Sequence, residues 1–272
     1  MTPADLERIC VAAAQAGGQV LRQLYERPRD IALKGRFDLV TDADRASEER
    51  ILRLLRERAP GSAVLAEESG ASGGGELRFI VDPLDGTTNY AHGIPLFSCT
   101  VAAEVNGEIV AGCTVDPLRA ETFRAHSGGG AFLGGRKLSV SQTSSVQDAV
   151  VCTGFPYGHR DRLGQMVAAF GRFTELARGT RRLGSAAIDL AYVAAGRLDV
   201  FWEQGLKPWD IAAGLLLVRE AGGVVTRFDG SAVDLSDGEI LAVTPALHDP
   251  VRAILRESRE RPTSTGTRPG SR

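Results

Sequence analysis

Asp82 and Asp85 stand three residues apart around Pro83 and Leu84. The apolar run Leu77–Val81 precedes them, and Gly86, Thr87, Thr88 and Asn89 follow at once. On a continuing strand, residues three apart point to opposite faces, so the two carboxylates would diverge. Pro83 cannot donate to a ladder and has a fixed φ, which predicts that the strand ends there. The turn can then wrap both carboxylates and the Leu84 carbonyl around one point. An all-oxygen cluster of this kind suits a hard cation, Mg²⁺ above all. Gly86 lets the backbone turn tightly, and Thr87 to Asn89 read as the first turn of a short helix. The first amides of a helix make a ready anion site. Cation and anion sites side by side describe a place for a phosphate. The ordinary alternative is an Asx-capped surface turn.

More oxygen ligands lie elsewhere in the chain. "AVLAEES" leaves a strand with Glu67 and Glu68, whose side chains face opposite ways, so one joins a site and the other meets solvent. "FDLVTDADRASEER" carries Asp38, Thr41, Asp42 and Asp44 at the entry to a helix. Asp210 comes just before an apolar helix that closes at Gly222-Gly223. Taken singly, such residues are ordinary helix starts, favoured by capping and the helix dipole. Four acidic segments at strand exits or helix starts, one coupled to a Gly-Thr-Thr turn, are harder to set aside.

The elements that must position these residues change character along the chain. Residues 2–27 and 42–58 read as helices with apolar faces at helical period, and "GASGGGE" as a loop. Asn106-Gly107 between two apolar runs signals a hairpin, and the middle of the chain reads as antiparallel sheet. After Ser145, strands and helices alternate as α/β layers. This divides the chain into an N-terminal α+β half over 1–145, an α/β half over 146–258 and a polar, disordered tail over 259–272.

Bulk properties exclude several classes. With 272 residues at 43% hydrophobic, the chain can bury a sizeable core. Its 32 Lys and Arg against 34 Asp and Glu leave no basic excess for nucleic acid. Four dispersed cysteines, two of them in strand-like apolar runs (Cys99 and Cys113), read as buried hydrophobes rather than a disulfide framework. The four histidines lack metal-ligand spacing. With no signal-peptide pattern and no apolar stretch of membrane-spanning length, the expectation is a cytoplasmic protein with no membrane partner.

"VDPLDGTTNYAHGIP" and "WDIAAGLLLVREAGG" resemble the two signatures of the inositol monophosphatase family of Mg²⁺-dependent, lithium-sensitive phosphatases. "DLVTDAD" and "AEES" match its remaining acidic segments, in order. Thr153–Tyr157 and "RRLGSAAIDLAYVAAGRLDVFWE" are also similar to bacterial members. The resemblance runs to about residue 258. It implies the layered αβαβα sandwich of sugar phosphatases and a homodimer. It also implies Glu67, Asp82, Asp85, Asp210 and the Leu84 carbonyl as metal ligands, for roughly two to three Mg²⁺ ions, with Li⁺ as inhibitor. Asp44 and Thr87 would orient the attacking water. Gly86, Thr87 and Thr88 would hold phosphate, and Gly184, Ser185, Ala186, Asp189 and Glu203 would contact the substrate's polyol part. The implied reaction is hydrolysis of a phosphate monoester, inositol 1-phosphate first. Histidinol phosphate, fructose 1,6-bisphosphate or another sugar phosphate is the alternative within the family. A phosphate- or metal-binding regulator with vestigial catalysis is the alternative outside it.

Overall fold

The computed structural model describes residues 1–25, 31–33, 39–155 and 160–260. Asp38, the Pro156-Tyr157 end of "TGFPY" and residues 261–272 lie outside the described residues. The helices are α1 Pro3–Leu24, α2 Asp42–Arg58, α3 Thr87–Ala91, α4 Arg160–Leu176, α5 Ala186–Ala194, α6 Pro208–Glu220 and α7 His248–Glu260. β1 Ile31–Leu33 pairs antiparallel with β2 Leu39–Thr41 in a small sheet of their own.

The first large sheet has eight strands: β3 Ala63–Ala66, β4 Gly70–Ser72, β5 Leu77–Asp85, β6 Ser98–Val105, β7 Glu108–Asp116, β8 Glu121–His126, β9 Gly130–Leu133 and β10 Arg136–Lys137, in the order β10-β9-β8-β7-β6-β5-β3-β4. Every pairing is antiparallel except β3 with β5. Asn106 and Gly107, both at positive φ, turn the β6–β7 hairpin, as their sequence predicts. The predicted loop at "GASGGGE" instead contributes β4, which pairs with β3 at the sheet edge.

The second sheet comprises β11 Val150–Thr153, β12 Gly179–Arg181, β13 Val200–Glu203, β14 Val224–Thr226 and β15 Ile240–Val243, in the order β12-β11-β13-β15-β14. β11 runs parallel to both neighbours, and β15 is antiparallel to both of its own.

Burial patterns explain the stacking. α1 buries a stripe, Leu6, Ile9, Cys10, Ala13, Ala14 and Leu21, which packs with Ile51 and Leu55 of α2 against one face of the first sheet. α6 is buried along the whole of Ile211–Val218. A helix apolar all round needs cover on every side, and here α5 and both sheets supply it. α4 and α7 close the outer face of the second sheet around Phe173, Trp202 and Leu247. The result is the expected five-layer αβαβα sandwich. Its middle core draws on Phe123 and Ala125 from the first sheet and Phe201 and Ala242 from the second.

Three boundaries differ from expectation. β5 continues through Pro83 to Asp85 instead of ending. α6 begins at Pro208, so Asp210 lies inside its first turn rather than before it. α7 reaches Glu260, so the predicted tail from 259 begins two residues inside a helix. The physical reason is tertiary: Arg259 pairs with Glu239 and lies over the Phe228 ring.

Candidate active site

The site begins with an irregularity in β5. Asp82 pairs with Thr100 and Asp85 with Ser98, so Pro83 and Leu84 together oppose one residue of β6. This is a β-bulge. Without it, residues three apart would face opposite sides; the extra residue brings both carboxylates to the same side. Each backbone group freed by the bulge is provided for. Pro83 has no N–H, and its carbonyl accepts from Ser47 Oγ at 2.9 Å. The Leu84 N–H donates to Asp82 Oδ1 at 3.0 Å. The Leu84 carbonyl accepts from Thr87 Oγ1 at 3.0 Å.

Two further elements deliver acidic groups. β3 runs parallel to β5 with Ala66 opposite Val81, and the Glu67 N–H donates to the Val81 carbonyl at 3.2 Å. Parallel pairing therefore sets Glu67 beside Asp82. Asp210 is the third residue of α6, where its Oδ2 accepts from the Lys207 N–H at 2.7 Å. Asp82, Asp85 and Asp210 converge, each offering a carboxylate oxygen within 4.8 Å of the others.

Like charges this close disfavour ionisation, and burial adds to the effect. Burial raises Asp82 well above the carboxylate range, helped by the charges of Glu67, Asp85 and Asp210. Asp210 is pushed up to about 7, by burial first and then by Asp85. Asp85 is also raised by burial, against the pull of hydrogen bonds from Ser185 and the start of α5. The donor set is all oxygen and short of positive charge, which fits a divalent hard cation such as Mg²⁺.

Asp44 and Thr87 meet at the edge of this cluster. Asp44 is fully buried as the third residue of α2, and its Oδ2 accepts from the Thr41 N–H at 2.8 Å and the Thr41 hydroxyl at 2.6 Å. That leaves Oδ1 aimed at Thr87 Oγ1, 3.2 Å away. Capping and a site role coexist in this one carboxylate. Gly86 is the N-cap of α3 at φ +94°, and Thr87 and Thr88 are the helix's first two residues. A Cβ at Gly86 would come within 3.1 Å of the Gly184 carbonyl and 3.3 Å of the Leu96 carbonyl, so both its φ and its surroundings require glycine.

The substrate-side residues enter from the second half of the chain. Asp85 Oδ2 accepts from Ser185 Oγ at 2.6 Å and the Ala187 N–H at 2.7 Å, capping α5 from another element. Gly184, Ser185 and Ala186 are thereby tied to the bulge. Asp189 is 1% exposed, and its Oδ1 has no hydrogen-bond partner among the described residues. Burial raises Asp189, partly offset by a hydrogen bond from the Cys152 thiol. Glu203 ends β13, packed on the Gly154 backbone, and is likewise raised by burial and by Asp189 and Asp210.

Three supporting residues lie outside the predicted set of site residues. Ser47 holds the bulge. Ser98 faces Asp85 and Ser185, at 3.5 and 3.3 Å. Asn89 Nδ2 donates to the carbonyls of Leu96 and Leu183, both at 2.8 Å, joining α3 to the loop before α5. Asn89 was visible inside its motif, but Ser47 and Ser98 act through long-range register that no local pattern reveals.

Comparison with known proteins shows the family of the chain. The model of the family described as "Inositol monophosphatase family" matches residues 3–260. The chain belongs to the inositol monophosphatase family. An inositol-1-monophosphatase of Mesorhizobium japonicum is 43% identical over 260 residues, which are 94% of this chain and 97% of that protein. A protein named Nus factor SuhB from Pseudomonas aeruginosa is 43% identical over 242 residues, 86% of this chain and 89% of its own length. The solved inositol monophosphatase structure from Anabaena superposes with a TM-score of 0.85 at 38% identity, covering 95% of this chain and 96% of that one.

Proposed function

We propose that this phosphoric monoester hydrolase acts on inositol monophosphate and uses Mg²⁺ to do so. The observation that carries the reading is the convergence of Asp82, Asp85 and Asp210 within 4.8 Å, beside the Thr87–Asp44 hydrogen bond. Family membership and the 43% identical inositol-1-monophosphatase support it.

Asp82, Asp85, Asp210, Glu67 and the Leu84 carbonyl would hold the metal. Bound there, Mg²⁺ supplies a lowered pKa for water and neutralises charge on the leaving oxygen. The chain's own residues do the rest. Asp44, pinned by Thr41, fixes the Thr87 hydroxyl, and the pair orients the attacking water and takes up its proton. Gly86, Thr87 and Thr88 hold the phosphate at the start of α3. Gly184, Ser185 and Ala186 line the polyol side. Asp189 and Glu203 accept hydrogen bonds from ring hydroxyls, which the unpartnered Asp189 Oδ1 is suited to do. No cysteine or serine nucleophile is needed. The same reading extends to Li⁺ inhibition, a homodimer and a cytoplasmic setting. None of the described helices is long and apolar enough to cross a membrane.

The test is phosphate release from inositol 1-phosphate, histidinol phosphate and fructose 1,6-bisphosphate, with and without Mg²⁺. Mg²⁺-dependent release with preference for the inositol ester is the expected result. No release from any of them, with Mg²⁺ still bound, transfers the function to a phosphate- or metal-binding regulator.

A further inference from the structure

We infer that Arg259, near the end of the last helix, is a positioning residue for the loop that carries Glu203 and Asp210. The inference rests on the Mg²⁺-phosphatase reading for its consequence, though not for its geometry. Residues 204–207 link Glu203, the last residue of β13, to Pro208, the first of α6. Asp210 follows within the first turn of α6. Any drift of these four residues moves a metal ligand relative to Asp82 and Asp85, which belong to a different sheet.

Two contacts tie this loop to Gly238-Glu239. The Leu206 N–H donates to the Gly238 carbonyl at 3.2 Å. Gly238 is at φ +68°, and a Cβ there would lie 2.0 Å from the Leu206 carbonyl oxygen, so the two backbones touch. Gln204 Nε2 donates to Glu239 Oε2 at 2.7 Å. Gln204 and Glu239 are each 5% exposed, so this hydrogen bond is shielded from water.

Glu239 is a buried carboxylate, and such a group needs a counter-charge. Arg259 supplies it, with Nη2 on the same Oε2 that receives Gln204. The other oxygen, Oε1, accepts from the Phe228 N–H at 2.9 Å. The guanidinium also lies over the Phe228 ring, 4.9 Å from its centroid, a fixed stacked geometry that Arg favours. Remove Arg259 and Glu239 is left buried beside neutral donors only. A carboxylate that turns outward to reach water lets go of the Gln204 amide. The chain of contact runs Arg259, Glu239, Gln204, then the ligand-bearing loop.

α7 has a second arginine clasp, which provides a control. Arg252 reaches the carbonyls of Phe228 and Asp229 without touching Glu239 or the loop. It secures the helix but not the site.

The experiment compares the wild-type chain with Arg259→Ala, Arg259→Lys and Arg252→Ala. Amide hydrogen exchange over 204–210 reads loop order without any metal. Calorimetric titration with Mg²⁺ and phosphate release against Mg²⁺ concentration read the consequence. Arg259→Ala is expected to speed exchange over 204–210 and to weaken Mg²⁺ binding about tenfold, the scale on which outer partners of metal ligands act. Arg259→Lys should recover part of both. Arg252→Ala should lower Tm with Mg²⁺ affinity unchanged. Equal Mg²⁺ affinity in Arg259→Ala and wild type overturns the positioning role, whatever happens to Tm, and so does unchanged exchange over 204–210. A wild-type chain that neither binds Mg²⁺ nor responds to it fails at the phosphatase reading, before any variant is compared, and removes the positioning role with it.

Discussion

Asp82 concentrates the conflict on which the site depends. It is 1% exposed, faces three other carboxylates and gives one oxygen to the Leu84 N–H. Asp82→Asn keeps the shape and removes the charge. Mg²⁺-dependent phosphate release should fall at least roughly 100-fold, the upper end of the loss seen when even an outer partner of a ligand is removed. Far-ultraviolet circular dichroism should be unchanged, and the metal-free Tm should stay level or rise, because a repulsion has been relieved. An active, metal-responsive variant would remove Asp82 from the ligand set. The pH dependence follows from the same charges. Asp210 titrates near 7 in the folded protein, against an unfolded value of about 3.9. The folded state therefore binds more protons between those values, and the metal-free protein loses stability as pH rises from about 4 through 7. Mg²⁺ competes for the same oxygens, so its affinity should increase across that window, with protons released on binding. Titrating Mg²⁺ at pH 6 and pH 8 in two buffers of different ionisation heat measures both effects. At this scale residue type was legible, since the acidic segments stand out in the sequence, but the spacing of Asp82 and Asp85 alone left an Asx-capped turn open, and it is the bulge that brings the two together. Asp44 shows why a helix-start explanation and a site explanation need not compete, since one oxygen caps and the other faces Thr87.

β5 and α3 form one device at the scale of elements, and here the sequence was read only in part. Pro83 disrupts the ladder as its chemistry predicts, but instead of ending the strand it sits in a bulge of a strand that continues to Asp85. Proline's missing N–H is as useful in a bulge as at a strand end, and only the partner strand decides between them. The same limit applies to β4, whose glycine-rich sequence carries no strand preference and forms a strand because β3 offers an edge. Two substitutions test the device. Ser47→Ala leaves the buried Pro83 carbonyl without its donor and should cost roughly 1–3 kcal/mol. Activity should fall with it, because the bulge sets the Asp82–Asp85 geometry. Gly86→Ala forces a side chain onto φ +94° and against two carbonyls. It should cost about 1–3 kcal/mol through strain alone, and it should raise KM for the phosphate ester as α3 shifts away from α5. Chemical denaturation and steady-state kinetics check both; a Gly86→Ala protein with wild-type stability would contradict the geometry.

At the scale of the whole molecule, the two halves marked by the change in sequence pattern each keep an outer core of their own but share the middle one. Phe123 and Ala125 from the first sheet share a cluster with Phe201, Ile240 and Ala242 from the second, and α6 fills the space between. The site straddles the same seam: Asp82 and Asp85 come from one sheet, Asp210 from the helix between the sheets, and Asp85 caps α5 across it. Sequence pattern reveals layers but not which layers share a core, because that depends on contacts between distant segments. We propose that the halves unfold together, in one thermal transition followed equally by tryptophan fluorescence and circular dichroism. A cation held by residues from both sides of the seam stabilises only the assembled form. At a Mg²⁺ concentration near 100 Kd, linkage gives about 2.7 kcal/mol. For a chain of this size that raises Tm by roughly 5 °C. The whole transition should move, with no early phase left behind. Two transitions, with Mg²⁺ shifting only one, would mean that the halves are separable and that the metal belongs to one of them. A single transition that Mg²⁺ shifts in wild type but not in Asp210→Asn would place the cation at the seam itself.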